Sequence, residues 1–228
     1  QGMPDNYVRW SVQDSRGFMW FATANGLAKY DGYRFTVYRH DPADPESVSS
    51  NEILNVFEDH LGILWVGTDA GLDRFDHDQE TFTHFRHDPE DASSLGGPVV
   101  PDIYEDREGT LWIGHWFSGL SKFDRATETF VRYQHDPDDE TSRPNGADFV
   151  ILEDRSGVFW VGTYAHEGSP DLTRFDRKTE TFSRFFTCKP EQPGCPQPVT
   201  EADRPPIPMT ISILEDSKGI IWIGGYGL

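Results

Sequence analysis

The stretch DHLGILWVGTDAGLDRFD, Asp59 to Asp76, decides the fold, because the chain has already written it once, as DSRGFMWFATANGLAKYD from Asp14 to Asp31, 45 residues earlier. The same frame returns as DREGTLWIGHWFSGLSKFD from Asp106 and as DRSGVFWVGTYAHEGSPDLTRFD from Asp154. It comes back once more as DSKGIIWIGGYGL from Asp216. The frame is D-x-x-G-x-x-W, an apolar and a small residue, then a variable stretch closing on Leu before a basic or aromatic pair and Asp. Its tryptophans, Trp20, Trp65, Trp112, Trp160 and Trp222, stand 45, 47, 48 and 62 residues apart. A period of roughly 40–50 residues marks a propeller, a solenoid or an array.

The second unit shows which. EILNVFED reads as an apolar, β-rich strand and HLG as a tight turn. ILWVGT is a short continuous apolar run, the mark of a strand buried on both faces. LDRF and TFTHFRH give third and fourth strands, separated by the polar turn DHDQE. No helical periodicity of convincing length occurs. Four short strands per repeat of this length make a propeller blade. Blades stack face to face, so each second strand must be apolar on both sides, as FMWFA, ILWVG, TLWIG, VFWVG and IIWIG are. A Trp at one fixed place per blade fills the wedge between sheets. Asp followed three residues later by Gly suits a tight turn, the Asp capping backbone donors and the Gly taking a positive φ.

The expected fold is therefore an all-β β-propeller of four-stranded antiparallel blades. Residues 1–228 are read as one β-propeller domain fragment with blades at about 5–44, 51–89, 98–137 and 147–187, and a partial fifth at 208–228. Seven units of this length would need about 330 residues, so we expect a fragment of a seven-bladed propeller, with a five-bladed ring as the other possibility. Residue 1 lies a few positions before the first repeat, which leads us to expect a processed or trimmed start.

These residues resemble the two-component regulator propeller repeat. The matching positions are Asp14, Gly17, Trp20, Gly26, Leu27 and Asp31 with their counterparts in later units. YDGYRF, Tyr30 to Phe35, looks like the opening blade of such sensors. The Asp-box of sialidase-like propellers, S-x-D-x-G-x-T-W, has one residue between Asp and Gly; here there are two, and no Thr directly precedes the Trp. The resemblance implies a periplasmic sensor domain of a histidine kinase, hybrid two-component system or diguanylate cyclase receptor. That domain would not itself be an enzyme. It would bind a small-molecule or oligosaccharide ligand, need no cofactor, and reach the membrane only through a downstream segment. A homodimer is possible in the full receptor. In related hybrid sensors the ligands are often glycan fragments.

Composition narrows the partners. Aromatics at 14% and charged residues at 26% describe a globular chain. A net charge of −19 argues against nucleic acid and anionic membrane surfaces, which need clustered Lys and Arg. No apolar run approaches the roughly 18 residues of a membrane span. The two cysteines, Cys188 and Cys195, sit in TCKPEQPGCPQP, a turn-rich excursion. They read either as a disulfide stapling that loop, in an oxidising compartment, or as two thiols. Two Cys without paired His or Cys supply only half a metal site.

Turns after strands one and three of each blade fall on one face and are uniform: DSRG, DHLG, DREG, DRSG, DSKG, and DHDQET, DRATET, DRKTET. Turns after strands two and four fall on the other and vary: TANG, TDAG, HWFSG, TYAHEGSPD. Variable loops on a uniform scaffold are where binding resides. The candidate ligand residues there are Trp116, Phe117, Tyr164, His166, Glu167 and Tyr226. Exposed aromatics beside carboxylates suit sugar stacking or a protein partner; the other reading is that they plug a channel or pack on a neighbouring loop. The phrases RHDPADPES, RHDPEDASS and QHDPDDETS repeat His40, His87 and His135 before Asp-Pro. They read as turn formers, with Ca²⁺ binding as the alternative. No G-x-S-x-G, H-E-x-x-H or P-loop occurs, and the pair His166–Glu167 names no mechanism. A secreted propeller lyase or glycosidase and a protein-interaction scaffold remain as other function classes.

Overall fold

The structure is a computed structural model and describes residues 2–144, 146–165, 172–185 and 209–226. Eighteen strands and no helix appear among the described residues. Three sheets have four antiparallel strands joined in chain order. The first holds β1 (Val8–Gln13), β2 (Met19–Thr23), β3 (Gly26–Tyr30) and β4 (Phe35–Tyr38). The second holds β5 (Ile53–Glu58), β6 (Leu64–Thr68), β7 (Leu72–Asp76) and β8 (Thr81–Phe85). The third holds β9 (Asp102–Glu105), β10 (Leu111–His115), β11 (Gly119–Asp124) and β12 (Thr129–Tyr133). The next repeat gives β13 (Gly146–Glu153), β14 (Phe159–Ala165), β15 (Leu172–Asp176) and β16 (Thr181–Phe185). The last gives the hairpin of β17 (Met209–Glu215) and β18 (Ile221–Tyr226). These are propeller blades; in the second, the strands read as EILNVFED, ILWVGT and TFTHFRH are each shorter by a residue or two, and LDRF runs one residue further, to Asp76. One feature was not expected: β14 outruns its pairing with β15, and Tyr164 there bridges Met209, joining the last hairpin to the fourth blade.

The described residues cluster into two compact units, 1–115 with 120–132, and 116–119 with 133–228. In the first unit the core lies between sheets. Trp20, Leu27, Ile53, Val56, Leu64, Val66, Phe75 and Phe82 close the joint of the first and second blades. Trp65, Leu72, Leu95, Val100, Ile103, Leu111, Phe123 and Phe130 close that of the second and third. Two frame tryptophans meet a Phe of the following blade edge-on, Trp20 on Phe75 at 5.1 Å and Trp65 on Phe123 at 5.2 Å between ring centres.

The frame Asp does more than cap its turn. Asp59 Oδ1 accepts the amides of Leu61 and Ile63 at 3.0 and 2.9 Å, and Oδ2 accepts the Trp65 indole N–H at 2.9 Å. The indole bond recurs at Asp14–Trp20, Asp106–Trp112, Asp154–Trp160 and Asp216–Trp222, between 2.7 and 3.0 Å. The frame glycines Gly17, Gly62, Gly109, Gly157 and Gly219 take φ between 76° and 89°, where a side chain is strained. The small residue after the Trp has a different reason: a Cβ on Gly67 would run into the Val100 carbonyl of the next connection.

Carboxylates sew neighbouring blades together. Glu58 at the end of β5 accepts the Ser15 amide and hydroxyl at 2.7 and 2.8 Å. Glu105 likewise accepts the His60 amide and Nδ1, at 2.7 and 2.6 Å. In the second unit Glu215 accepts the Arg155 amide at 2.7 Å. A second stitch comes from glutamates held at positive φ: Glu80 (56°) takes the Tyr38 hydroxyl, Glu128 (55°) takes Arg74 and Glu180 (57°) takes the Tyr133 hydroxyl. Burial, then the Glu80 carboxylate, push the Tyr38 phenol well above its ordinary value, so it stays a donor.

Replacing Trp65 by Ala is expected to lower unfolding free energy by about 3–5 kcal/mol, through cavity formation in the joint, measured by denaturant titration. Acid should act on the same turns. Burial raises the Asp59 carboxyl, but the Trp65 indole, the Ile63 amide and Arg125 outweigh it and hold it below the usual aspartate range. Asp154 and Asp216 are also held low. Depressed carboxylates contribute stability that is present above about pH 3.9, the ordinary aspartate value, and is lost as pH falls through the folded value. Melting temperatures recorded downward from pH 5 should therefore fall progressively.

Candidate functional site

The turns after second strands start from one plan. In the first two blades a Thr ends the strand and closes a two-residue turn. Thr23 Oγ1 donates to the Gly26 carbonyl at 2.6 Å and accepts the Asn25 amide at 3.2 Å. Thr68 does the same with Gly71 and Ala70, both at 3.0 Å. The third blade departs from this plan. His115 stands in the Thr column, fully buried, with Nε2 2.9 Å from Ser121 Oγ. The turn is one residue longer and carries Trp116, Phe117 and Ser118. Trp116 is 39% exposed and Phe117 56% exposed. Phe117 takes φ 58°, a conformation uncommon for a bulky residue. Two large aromatic rings are thus held toward water on a strained turn, where the first two blades show Ala24–Asn25 and Asp69–Ala70.

Residues 116–119 cluster with the unit that contains Tyr164 and Tyr226. The backbones of those two tyrosines meet at Met209, which pairs with Tyr164 across β14 and with Tyr226 across β18. Their side chains, and His166, Glu167, Cys188 and Cys195 altogether, lie outside the described residues.

Sequence reasoning passed over Arg143. It stands in the column of Val48 and Leu95, which are fully buried apolar plugs, and is itself 2% exposed. Its guanidinium donates to the Gly146 carbonyl, and its Cδ lies 3.3 Å from where a Cβ on Gly119 would be. A buried cation therefore backs the turn that presents Trp116. Column-by-column comparison of the repeats would have found both Arg143 and His115. The His-Asp-Pro loops are built as turns: Asp41, Asp44, Asp88 and Asp91 each accept a backbone amide two residues on, at 2.9 to 3.0 Å. An open cavity of about 310 Å³, lined by Gly109, Thr110, Lys122, Asp124, Arg125 and Val131, belongs to the uniform-turn face and not to this site.

The fold and this site define a β-propeller whose blades share a scaffold and differ at one end. The family model described as two component regulator propeller matches at residues 2–25, 47–70, 94–117 and 205–227, each match starting at a nearly constant offset before a frame Asp. Over those residues, less than half of the chain, it is similar to two-component regulator propeller repeats. No curated protein matches it. Among solved structures, it resembles the extracellular domain of the hybrid two component system BT3049 from B. thetaiotaomicron, with TM-score 0.60, 24% identity, 100% of this chain and 40% of that one. It resembles the extracellular domain of the one component system BT4673 from the same organism, with TM-score 0.68, 23% identity, 96% of this chain and 29% of that one. A virginiamycin B lyase from Staphylococcus aureus shares the fold at TM-score 0.61 and 14% identity, over 98% of this chain and 71% of that one. The chain therefore spans less than half the length of the first two.

Replacing Phe117 by Gly should leave the melting temperature unchanged or raised. It removes backbone strain of about 1 kcal/mol or more and a ring that is mostly in water, and thermal denaturation of the two proteins compares them directly.

Proposed function

We propose that this propeller is the extracytoplasmic, periplasmic sensing part of a bacterial two-component-type receptor, binding a small molecule or oligosaccharide on its variable-loop face. The observation that carries this reading is the Trp116–Phe117 turn, where exposure and backbone strain coincide on an otherwise repeated scaffold. Strain of this kind is retained where something other than stability selects it. Exposed aromatic rings suit the apolar face of a sugar ring, whose edge carries hydrogen-bonding groups. Support for the receptor context is the match to the family model and the fold shared with extracellular domains of one- and two-component systems. The propeller itself is read as non-catalytic; a histidine kinase or diguanylate cyclase module, and a homodimeric arrangement, would belong to the whole protein. A ligand would then act by binding one of two receptor states more tightly.

The test is a thermal-shift screen of residues 1–228 against neutral and acidic oligosaccharides at millimolar concentration, with mass-spectrometric analysis of each mixture afterwards. A binder present at about 100 times its Kd adds roughly 2.7 kcal/mol, a clear rise in Tm. The rise should vanish in Trp116→Ala while the ligand-free Tm stays the same. A rise that survives in Trp116→Ala moves the site elsewhere. Cleaved product in the mixture replaces sensing with a lyase or glycosidase reading.

A further inference from the structure

The connection from β4 to β5 lies on the variable-loop face and is held down by a histidine bonded on both sides. His84 on β8 has Nδ1 2.7 Å from Asp73 Oδ1 and Nε2 2.9 Å from the Pro45 carbonyl. Both partners are acceptors and can only receive a proton. A neutral imidazole carries one N–H, so one nitrogen would present its lone pair to an oxygen at bonding distance. Only the imidazolium satisfies both contacts. Asp73 is fully buried on β7, directly opposite His84 in the ladder, and His84 is mostly shielded.

The next blade shows what the contact is for. The repeat TFTHF becomes TFVRY, with Arg132 in the His84 column. Arg132 clamps the equivalent loop, donating from Nη2 to the Asp88 and Asp91 carbonyls at 2.9 and 2.6 Å and to Ser94 Oγ, and from Nε to the Ser94 carbonyl at 2.9 Å. The two loops are otherwise built alike. Asp41 and Asp88 amides bond Ser47 and Ser94 hydroxyls at 2.9 and 2.8 Å. His40 and His87 donate from Nδ1 to the Val48 and Leu95 carbonyls at 2.9 and 2.7 Å. Phe82 and Phe130 amides donate to Glu46 and Ser93 carbonyls at 2.9 and 2.8 Å. The difference is that one clamp cation is permanent and the other titrates near neutrality.

We propose that His84 is a proton-operated latch: with the ring protonated it fixes the 40–49 loop on the ligand face, and on deprotonation the Pro45 contact is lost and the loop loosens. The charged groups around the ring are Asp73 on β7 and Arg86 farther along its own chain, with Asp44 and Glu46 flanking Pro45 on the loop. The Asp73 bond raises the His84 pKa; burial opposes, Asp73 charge and the Pro45 carbonyl assist, and Arg86 opposes. A raised value means that the latch is fully engaged below about pH 6.5, the ordinary histidine value, and is lost as pH rises through the value in the closed state. The far end of the loop stays anchored, because Ser49 donates its amide to Asp73 Oδ2 at 2.8 Å. A carboxylate needs no proton from His84 to keep that bond.

Amide hydrogen exchange on residues 1–228 at pH 5 to 9, corrected for intrinsic rates, tests this inside one molecule. Protection of residues 40–49 should fall by up to about tenfold per pH unit above pH 6.5, while residues 87–96, held by Arg132, keep theirs. His84→Arg should flatten the pH dependence of the first loop. Equal pH dependence in both loops, or a 40–49 loop whose protection does not change from pH 5 to 9, overturns the latch. So do imidazole ¹⁵N shifts showing a neutral His84 ring at pH 6 in the unaltered protein. The outcome is independent of whether an oligosaccharide binds Trp116.

Discussion

Everything in this fold hangs on one carboxylate per blade. The frame Asp gives one oxygen to two amides of its own turn and the other to an indole N–H six residues away, as Asp59 does with Trp65. The first oxygen fixes the turn from strand one to strand two. The second fixes the direction of the largest side chain in the blade, and with it the surface that the next blade must meet. Burying an indole without a partner for its N–H would be costly, so the same Asp that shapes the turn allows the Trp to be interior at all. Arg125, from the following blade, then lays its guanidinium on Asp59 and Glu105 at 2.8 and 2.7 Å. One residue thereby joins a turn, a core and a joint.

That economy explains the acidity of the chain without invoking a cationic ligand. Glu58, Glu105, Glu80, Glu128, Glu180 and Glu215 are all spent on neighbouring blades. Asp76, Asp124 and Asp176 each cap amides in the turn after strand three. A net charge that looks like a binding signature in the sequence is in large part the stitching of a repeat.

The blades were legible because their signals are local and recur: a two-sided apolar run, an Asp and Gly three apart, a Trp at a fixed step. The Asp–Trp bond was legible in principle, since the spacing never varies among the five units, but a turn reading of Asp stopped short of it. The joints were not legible, because Ser15–Glu58 and His60–Glu105 span 43 and 45 residues and depend on how sheets stack. The Trp116–Phe117 insertion could be seen as an exception to the repeat. Its strained backbone could not, and although Arg143 stands out in the column of Val48 and Leu95, its burial behind that turn could not either; Tyr164 and Tyr226 gained their shared neighbour Met209 only when β17 was placed.

A repeat makes such exceptions readable as chemistry, because each column holds the backbone nearly constant while the side chain changes. The second blade substitutes histidine in two columns that hold Arg in the blades after it: His84 for Arg132 and Arg184, and His77 for Arg125 and Arg177. The two behave oppositely. His77 lies against Trp20 and Phe75, its ring nitrogens buried without hydrogen-bond partners among the described residues. Burial and then Arg16 lower its pKa, with Lys29 acting the same way and Asp14 and Glu58 opposing. Its contribution is present above the ordinary histidine value and is lost as pH falls, the reverse of His84. Global stability therefore sums two opposed titrations within one blade, and a flat profile around neutrality would be compatible with strong local changes. The information about protons in this blade is local to its loops and joints, carried by His84 at the 40–49 loop and by His77 against Trp20 and Phe75.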